Sequence, residues 1–244
     1  SVNTNLTVDG TSTLNGETTV DDIFTVKKKR VKQILNGMIE NKLEMDWKCE
    51  ARTDHLDEEI CELMSKTNCN RVKLGFESGS NRMLNLMQKD EDKAEMMRGA
   101  EMLRNAGVPF TAYFMAGFPG ETDDDFLDTY NFIKDLELAY LHVFSYSERD
   151  NTDAKSYQNS VPKTKRSERS RILRDLSDRK RHLFQEQYIT STREVLFESI
   201  KSGYAYGHSD NYIKVKVPQS PELINSIHPV NLKREEGGVV FGEL

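Results

Sequence analysis

Two rhythms of apolar and polar residues divide this chain. From about Thr18 to Tyr146 short apolar runs alternate with stretches of helical spacing, and after Thr192 only short runs remain. The most regular run, Phe110–Ala116, is nearly continuous and β-prone, which predicts a strand covered on both faces as in a parallel sheet. It stops at Gly117-Phe-Pro-Gly-Glu-Thr122. Glycines there free the backbone to turn, Thr122 is a candidate N-cap, and Asp123, Asp124 and Asp125 place negative charge in a first helical turn.

Further strands are expected at Thr18–Phe24, Met45–Ala51, Val72–Phe76 and Tyr140–Tyr146. Helices are expected at Val26–Asn41, from the cap Asp57 to near Asn68, at Arg82–Gln88, Asp92–Asn105, and from Thr122 to about Leu136. This alternation implies a parallel α/β sheet with right-handed crossovers, whose ligands bind at the carboxyl ends of the strands. Val161–Tyr188, opened by Pro162, reads as one long helix with Ile172, Leu173, Leu176, Leu183 and Phe184 on its apolar side. Beyond it, Glu194–Glu198, Gly203–His208, Tyr212–Val217, Pro229–Leu232 and Gly238–Gly242 predict a small all-β barrel or sandwich of the oligonucleotide-binding sort.

Composition narrows the function classes. Of 244 residues 30% are charged, with a net charge of −6, so any nucleic-acid binding needs a local basic patch. The long helix offers one: Lys163, Lys165, Arg166, Arg169, Arg171, Arg174, Arg179, Lys180 and Arg181 stand against Glu168, Asp175, Asp178 and Glu186, nine basic to four acidic. Such runs are usually solvated faces. Position just before a β-domain bearing Tyr204, Tyr206, Tyr212, Lys214 and Lys216 favours an RNA-facing surface instead. No apolar run is long enough for a membrane span, and no signal-peptide core is present. Three cysteines at irregular spacing argue against a disulfide framework and fit a cytoplasmic protein. The five histidines show no metal-ligand spacing, and no metal site is expected.

The first residues stand apart. Val8-Asp-Gly, Leu14-Asn-Gly and Val20-Asp-Asp recur every six residues, which points to stacked β turns. The period resembles the repeats of phage tail-fibre proteins, and a loosely extended leader is the alternative.

Three segments carry a family resemblance: Glu77-Ser-Gly-Ser80, Gly117-Phe-Pro-Gly-Glu-Thr122 and Leu141-His-Val-Phe-Ser-Tyr-Ser-Glu-Arg149, each following a predicted strand. Together they resemble the radical S-adenosylmethionine superfamily. From Ala139 onward the chain is most similar to the tRNA methylthiotransferases that modify threonylcarbamoyladenosine, whose small C-terminal β-domain is called TRAM. Residues 21–120 resemble cobalamin-associated radical enzymes, through Asp21-Asp-Ile-Phe and Cys49-Glu-Ala-Arg-Thr-Asp. The chain is expected to carry a leader at residues 1–17 and a basic linking helix at 151–190, and the resemblance implies a partial (β/α)6 TIM-like barrel lacking its first strand at 18–150 and a TRAM-like domain at 191–244.

It also implies site residues. Asp21 and Asp22 would lie where the S-adenosylmethionine amino group is held, Glu77, Ser78 and Gly79 near the ribose, and Gly117, Phe118, Gly120 and Glu121 beside the adenine and methionine parts. Locally, Asp21 also fits a helix N-cap, Glu77–Ser80 a capped turn and Gly117–Glu121 a plain loop. Arg174, Arg179, Lys180, Arg181, Tyr212, Lys214 and Lys216 would face tRNA.

The family's 4Fe–4S cluster is held by a CxxxCxxC loop after the first strand, and nothing in the chain matches it. Cys49 falls in a predicted strand, Cys61 on a helix and Cys69 in the turn after it, so ordinary buried thiols are expected. The expectation is a methylthiotransferase-like chain without its cluster ligands, with a missing N-terminal half as a further partner. The alternatives are a non-catalytic RNA-binding module and a fibre-associated structural chimera.

Overall fold

The computed structural model describes residues 6–8, 12–14, 28–150 and 152–244. The predicted strand at 18–24, with Asp21 and Asp22, lies outside the described residues. Near the start, β1 (Leu6–Val8) and β2 (Ser12–Leu14) pair antiparallel. The chain forms two compact units: one runs through Leu136 and resumes at Leu141–Leu173, the other comprises Glu137–Tyr140 and Arg174–Leu244.

The first unit is built on a parallel sheet of four strands, β3 (Trp47–Ala51), β4 (Cys69–Glu77), β5 (Phe110–Ala116) and β6 (His142–Ser145), in that spatial order. Helix α1 (Lys28–Glu40) precedes β3, α2 (Glu58–Lys66) follows it, and α3 (Asn81–Leu86) and α4 (Lys93–Asn105) connect β4 to β5. Helix α5 (Asp123–Asp135) leads to β6. Local chemistry sets the helix starts. Asp57 accepts from Ile60 N at 2.9 Å, while Asp92 with Glu95 and Thr122 with Asp125 form reciprocal capping boxes.

Val72, Leu74, Phe76, Ala112, Phe114 and Ala116 are buried on one face of the sheet. On the opposite face Tyr113 and Met115 are only half-buried, so β5 is less enclosed than its apolar run predicts. Strand β4 is longer than expected and opens at Cys69, which therefore lies in the sheet and not in a turn. The apolar pattern starts at Val72, but main-chain pairing with Trp47 starts at Cys69, and ladder hydrogen bonds do not require apolar side chains.

Helix α6 (Lys163–Glu186) is followed by a closed barrel of β7 (Thr192–Lys201), β8 (Tyr204–Ser209), β9 (Lys214–Pro218), β10 (Ile227–Glu236) and β11 (Val239–Glu243). Each of the five predicted runs overlaps one of these strands. Neighbours pair antiparallel except β9 with β11, which run parallel. Val195, Phe197, Ala205, Ile213, Val215, Val217, Val230, Leu232 and Val240 fill the barrel, and Phe184, Tyr188 and Ile189 pack against that core. The period-2 alternation of these strands thus sorts apolar residues inward and leaves Tyr and Lys outward.

Candidate functional site

Strand β4 ends at Glu77, whose φ of +61° lies in the left-handed region that non-glycine residues rarely occupy. Its carboxylate folds back over Gly75: a Cβ at Gly75 would sit 2.7 Å from Glu77 Oε1. Burial pushes the Glu77 carboxyl above its ordinary range, the Lys89 ammonium opposes that shift, and Glu91 adds to it. Among the described residues no hydrogen-bond donor meets this carboxylate. A strained, enclosed and unpartnered acceptor at the carboxyl end of a parallel strand is a ligand-site signature.

The next residues are consumed by α5. Ser78 Oγ lies 3.0 Å from Thr129 Oγ1, Gly79 N donates to the same oxygen at 3.0 Å, and Ser80 Oγ donates to Asp125 Oδ1 at 2.7 Å. A Cβ on Gly79 would stand 2.5 Å from Phe132 Cβ, so only glycine permits this approach. Arg82 donates to Asp125 and to the Gly120 carbonyl, tying the two predicted motifs together. Burial raises the Asp125 carboxyl, but Arg82, Thr122 and Ser80 together hold it well below the usual carboxylate range.

The glycine-rich turn is fixed from behind. Gly117 has φ +85° and lies against the Arg166 side-chain stem, so neither the conformation nor the space suits another residue. The buried Glu121 accepts from Gly117 N at 2.8 Å and from Arg169 at 2.5 Å, and Arg169 also donates to Asp123 at 2.7 Å. Burial raises the Glu121 carboxyl, and Arg169 opposes that shift. Phe118 is buried edge-on against Tyr146 and Tyr157. The side chains of Ser78, Phe118 and Glu121 therefore face protein, the N–H groups of Gly79, Gly117 and Gly120 and the Gly120 carbonyl are also taken, and among the described residues the carbonyls of Gly79 and Gly117 are what remains for a ligand.

Two arginines of the basic helix are corrected by this arrangement. Arg166 and Arg169 are buried and hold Glu148, Glu121 and Asp123, so they are not part of a solvated or RNA-facing surface. Their ion pairs and hydrogen bonds fasten the turn to α6 against the cost of burying the charges, which helical spacing alone does not reveal. Arg174, Arg179, Lys180 and Arg181 lie further along α6, where Arg181 pairs with Asp178 at 3.4 Å and stacks over Tyr140.

Sequence reading missed a polar cluster beside Glu77. Arg52 after β3 grips Asp54 through two hydrogen bonds of 3.0 Å. Glu91 accepts from Thr53 Oγ1 at 2.6 Å and Asp54 N at 3.0 Å, and pairs with Lys89 at 3.0 Å. Lys89 and Glu91 fall between the predicted helices Arg82–Gln88 and Asp92–Asn105, where the sequence reading assigned no role, and they are half-buried and buried respectively.

On the barrel, Tyr212 is exposed, at 63%, and Lys214 lies over the Tyr206 ring. Register neighbours Tyr206, Lys216, Phe241 and Arg234 form one row across β8, β9, β11 and β10, on the face opposite the barrel core. Arg234 stacks over Phe241 at 4.3 Å and Lys216 over Tyr204 at 5.2 Å, while Glu236 pairs with both cations. Arg234 and Phe241 were not legible as candidates because their partners lie on other strands.

Cys49, Cys61 and Cys69 are all buried, and among the described residues no group of three or more Cys, His, Asp or Glu side chains could hold a metal ion. The Cys69 thiol beside it and burial push the Cys49 thiol up, and burial pushes Cys61 up to about 12. The Cys49 thiol in turn holds Cys69 below its ordinary range, so one thiol of the three leans toward thiolate, whereas iron–sulfur ligation requires several thiolates together.

Comparison with known proteins agrees with the fold and the motifs. The sequence pattern of the Radical SAM superfamily matches residues 3–133, beginning inside the stretch that reads as a leader. The threonylcarbamoyladenosine tRNA methylthiotransferase MtaB of Bacillus subtilis (strain 168) is 29% identical over 197 residues, 77% of this chain and 43% of that protein. The tRNA-2-methylthio-N(6)-dimethylallyladenosine synthase of a Nitratiruptor species is 31% identical over 196 residues, 78% of this chain and 45% of that one. The chain thus spans less than half the length of these curated relatives. Among solved structures, coproporphyrinogen III oxidase (HemN) from Escherichia coli, a radical SAM enzyme, superposes with a TM-score of 0.55 at 10% identity, over 86% of this chain and 52% of that one. No helix among the described residues is long and apolar enough to cross a membrane. With more than half its length matched by the family pattern, and with tRNA methylthiotransferases among its relatives, this chain belongs to the radical SAM superfamily.

Proposed function

We propose that this chain is the S-adenosylmethionine-holding and RNA-holding part of a tRNA-modifying radical enzyme of the methylthiotransferase type. The observation that carries the reading is Glu77, a strained carboxylate at the carboxyl end of β4 that meets no hydrogen-bond donor among the described residues. A carboxylate suits the ribose hydroxyls, and the Gly117 carbonyl suits a donor on the adenine or methionine part. When bound, S-adenosylmethionine supplies the cleavable sulfonium on which the chemistry of this superfamily depends. What this chain's own residues do is hold and orient: Asp125 and Arg82 fix the ribose-side segment to the glycine-rich turn, and Arg169 fixes that turn to α6.

The cysteines do not fit a 4Fe–4S cluster, so no step is derived through one. Radical chemistry by this protein requires thiolates from outside these 244 residues. Anaerobic reconstitution of the chain with iron and sulfide is accordingly expected to give no stoichiometric cluster absorbance. A signal abolished by changing Cys49, Cys61 and Cys69 to Ala would overturn that assignment.

RNA recognition is assigned to the small barrel and the later part of α6. Support comes from the row of Tyr206, Lys216, Phe241 and Arg234, which alternates stacking surfaces with cations as single-stranded RNA requires. Binding of an unmodified tRNA, measured across salt concentrations, tests it. The variant Lys214→Ala/Lys216→Ala/Arg234→Ala is expected to bind more weakly and to lower the log–log salt slope by roughly 2 to 3. Indistinguishable curves for variant and wild type would remove RNA binding from this face. The buried cysteines favour one second reading, a non-catalytic RNA-binding module, for which loss of Glu77 would leave tRNA binding and modification in the cell unaffected.

A further inference from the structure

Helix α6 and the β10–β11 hairpin border a cavity of about 330 Å³, to which nothing above assigns a ligand. That volume is at the lower end of small-molecule sites, roughly 300 to 1,000 Å³. Its wall carries Asp178, Arg181, His182 and Gln185 from α6, with Glu235 and Gly238 from the hairpin, and all of these belong to the second unit. Spacings of three and four residues put the α6 side chains on one face of the helix. The wall is braced on every side. Gly238 N donates to Glu235, whose other carboxylate oxygen lies 3.1 Å from His182 Nδ1, and Glu186 lies 3.2 Å from His182 Nε2. Arg181 is held by Asp178 at 3.4 Å and by the Tyr140 ring, 5.9 Å from its guanidinium carbon. Gln185 is 2% exposed, and its amide nitrogen donates to the Gly238 carbonyl at 3.2 Å. A carbonyl only accepts, so the nitrogen must face it. The Gln185 oxygen is then left without a hydrogen-bond partner among the described residues. A buried acceptor with no donor has lost its water without compensation, and a ligand N–H would supply what is missing.

We propose that this cavity receives one unpaired guanine of a single-stranded RNA segment, its 2-amino group donating to the Gln185 oxygen while O6 and N7 accept from Arg181. This rests on the reading of the later part of α6 as RNA-holding. Arg181 and Gln185 are one turn apart, about 6 Å along the helix axis, a separation that a purine ring system can bridge. The pattern of donors and acceptors selects the base. Arginine pairs with O6 and N7 of guanine through two parallel hydrogen bonds, and a base in a single strand is open on both edges. Adenine would turn its 6-amino group toward the guanidinium, donor against donor, and it has no 2-amino group for Gln185. Cytosine has the same fault at its 4-amino group, and uracil offers an acceptor there but no N7. Asp178 is a positioning residue, which holds the guanidinium that reads the base.

Fluorescence anisotropy of the full chain with short labelled oligouridylates, each carrying a central guanosine, inosine or adenosine, tests the site at low salt. Inosine keeps O6 and N7 but lacks the 2-amino group, and it is expected to bind about tenfold more weakly than guanosine. In Gln185→Leu the guanosine and inosine affinities should become equal, because the acceptor that tells them apart is gone. In Arg181→Met the preference for guanosine over adenosine should fall about tenfold, while that for guanosine over inosine persists. The wild-type comparison needs no variant, so it decides the matter even where Gln185→Leu fails to fold. Equal binding of guanosine and inosine by wild type, or a guanosine preference kept in Gln185→Leu, overturns the guanine site and leaves the RNA-holding reading standing. Wild type that binds none of the oligonucleotides overturns the RNA-holding reading of α6, and the site with it.

Discussion

Replacing Arg169 with Met is expected to destabilise the first unit by about 3 to 5 kcal/mol, a fall of roughly 10 °C in its unfolding midpoint. The cause is the buried partner left behind. Arg169 and Glu121 have side chains 4% and 2% exposed and meet at 2.5 Å, so removing the guanidinium strands a carboxylate where water cannot reach it. The loss should depend on pH in a defined direction. Without Arg169 the folded-state pKa of Glu121 is raised above its unfolded value. The penalty is then absent below the unfolded pKa and grows as pH rises toward the folded one. The variant should thus lie nearest wild type in mild acid and farthest from it at neutral pH. Glu121→Gln/Arg169→Met should recover part of the loss, because the amide still accepts from Gly117 N and carries no charge. Thermal unfolding of the variants at pH 4.5 and pH 7, followed by circular dichroism, measures this; these two values are chosen on either side of roughly the ordinary glutamate pKa. A pH-independent loss would show that Arg169 acts by packing alone.

Changing Gly79 to Ala is expected to cost about 3 kcal/mol and to lower affinity for a ligand at Glu77. The new methyl would stand 2.5 Å from Phe132 Cβ and 2.7 Å from Thr129 Cα, and the latter is backbone that a rotamer change cannot move. Relief requires Ser78–Ser80 to lift from α5. That lift breaks the hydrogen bonds of Ser78 and Gly79 to Thr129 and of Ser80 to Asp125, and it carries Glu77 with it. The same substitution at Gly37 is the control. That glycine sits inside α1 with no atom of the described residues within 4 Å of its would-be Cβ, so Gly37→Ala should be neutral or stabilising by up to about 1 kcal/mol. Chemical denaturation of both variants separates the cases. Equal effects at the two sites would mean that the segment after β4 is not seated on α5 as described.

The sequence alone determined the elements and their order. Phe110–Ala116 is a strand, Thr122 caps α5 with Asp125 closing the capping box, and Asp57 and Asp92 cap their helices, because these choices depend on neighbours three or four residues away. The five apolar runs after Thr192 became a closed barrel for a similar reason, since strand alternation is a local property. The family was legible in three short motifs because each occupies a single strand-to-loop junction. Tertiary structure decided which side chains those motifs spend on themselves. Glu121 looked like a ligand group and turned out to hold Gly117 and Arg169, while Arg166 and Arg169 looked like part of a basic face and are buried. Lys89 and Glu91 fell between two predicted helices with no role assigned, and they form an ion pair with a buried carboxylate. Arg234 and Phe241 join Tyr206 and Lys216 only because β10 and β11 close onto β9 and β8. Periodicity tells which face a residue occupies but not which distant residue it meets there, and charge is read identically in sequence whether it ends in water or against a buried partner.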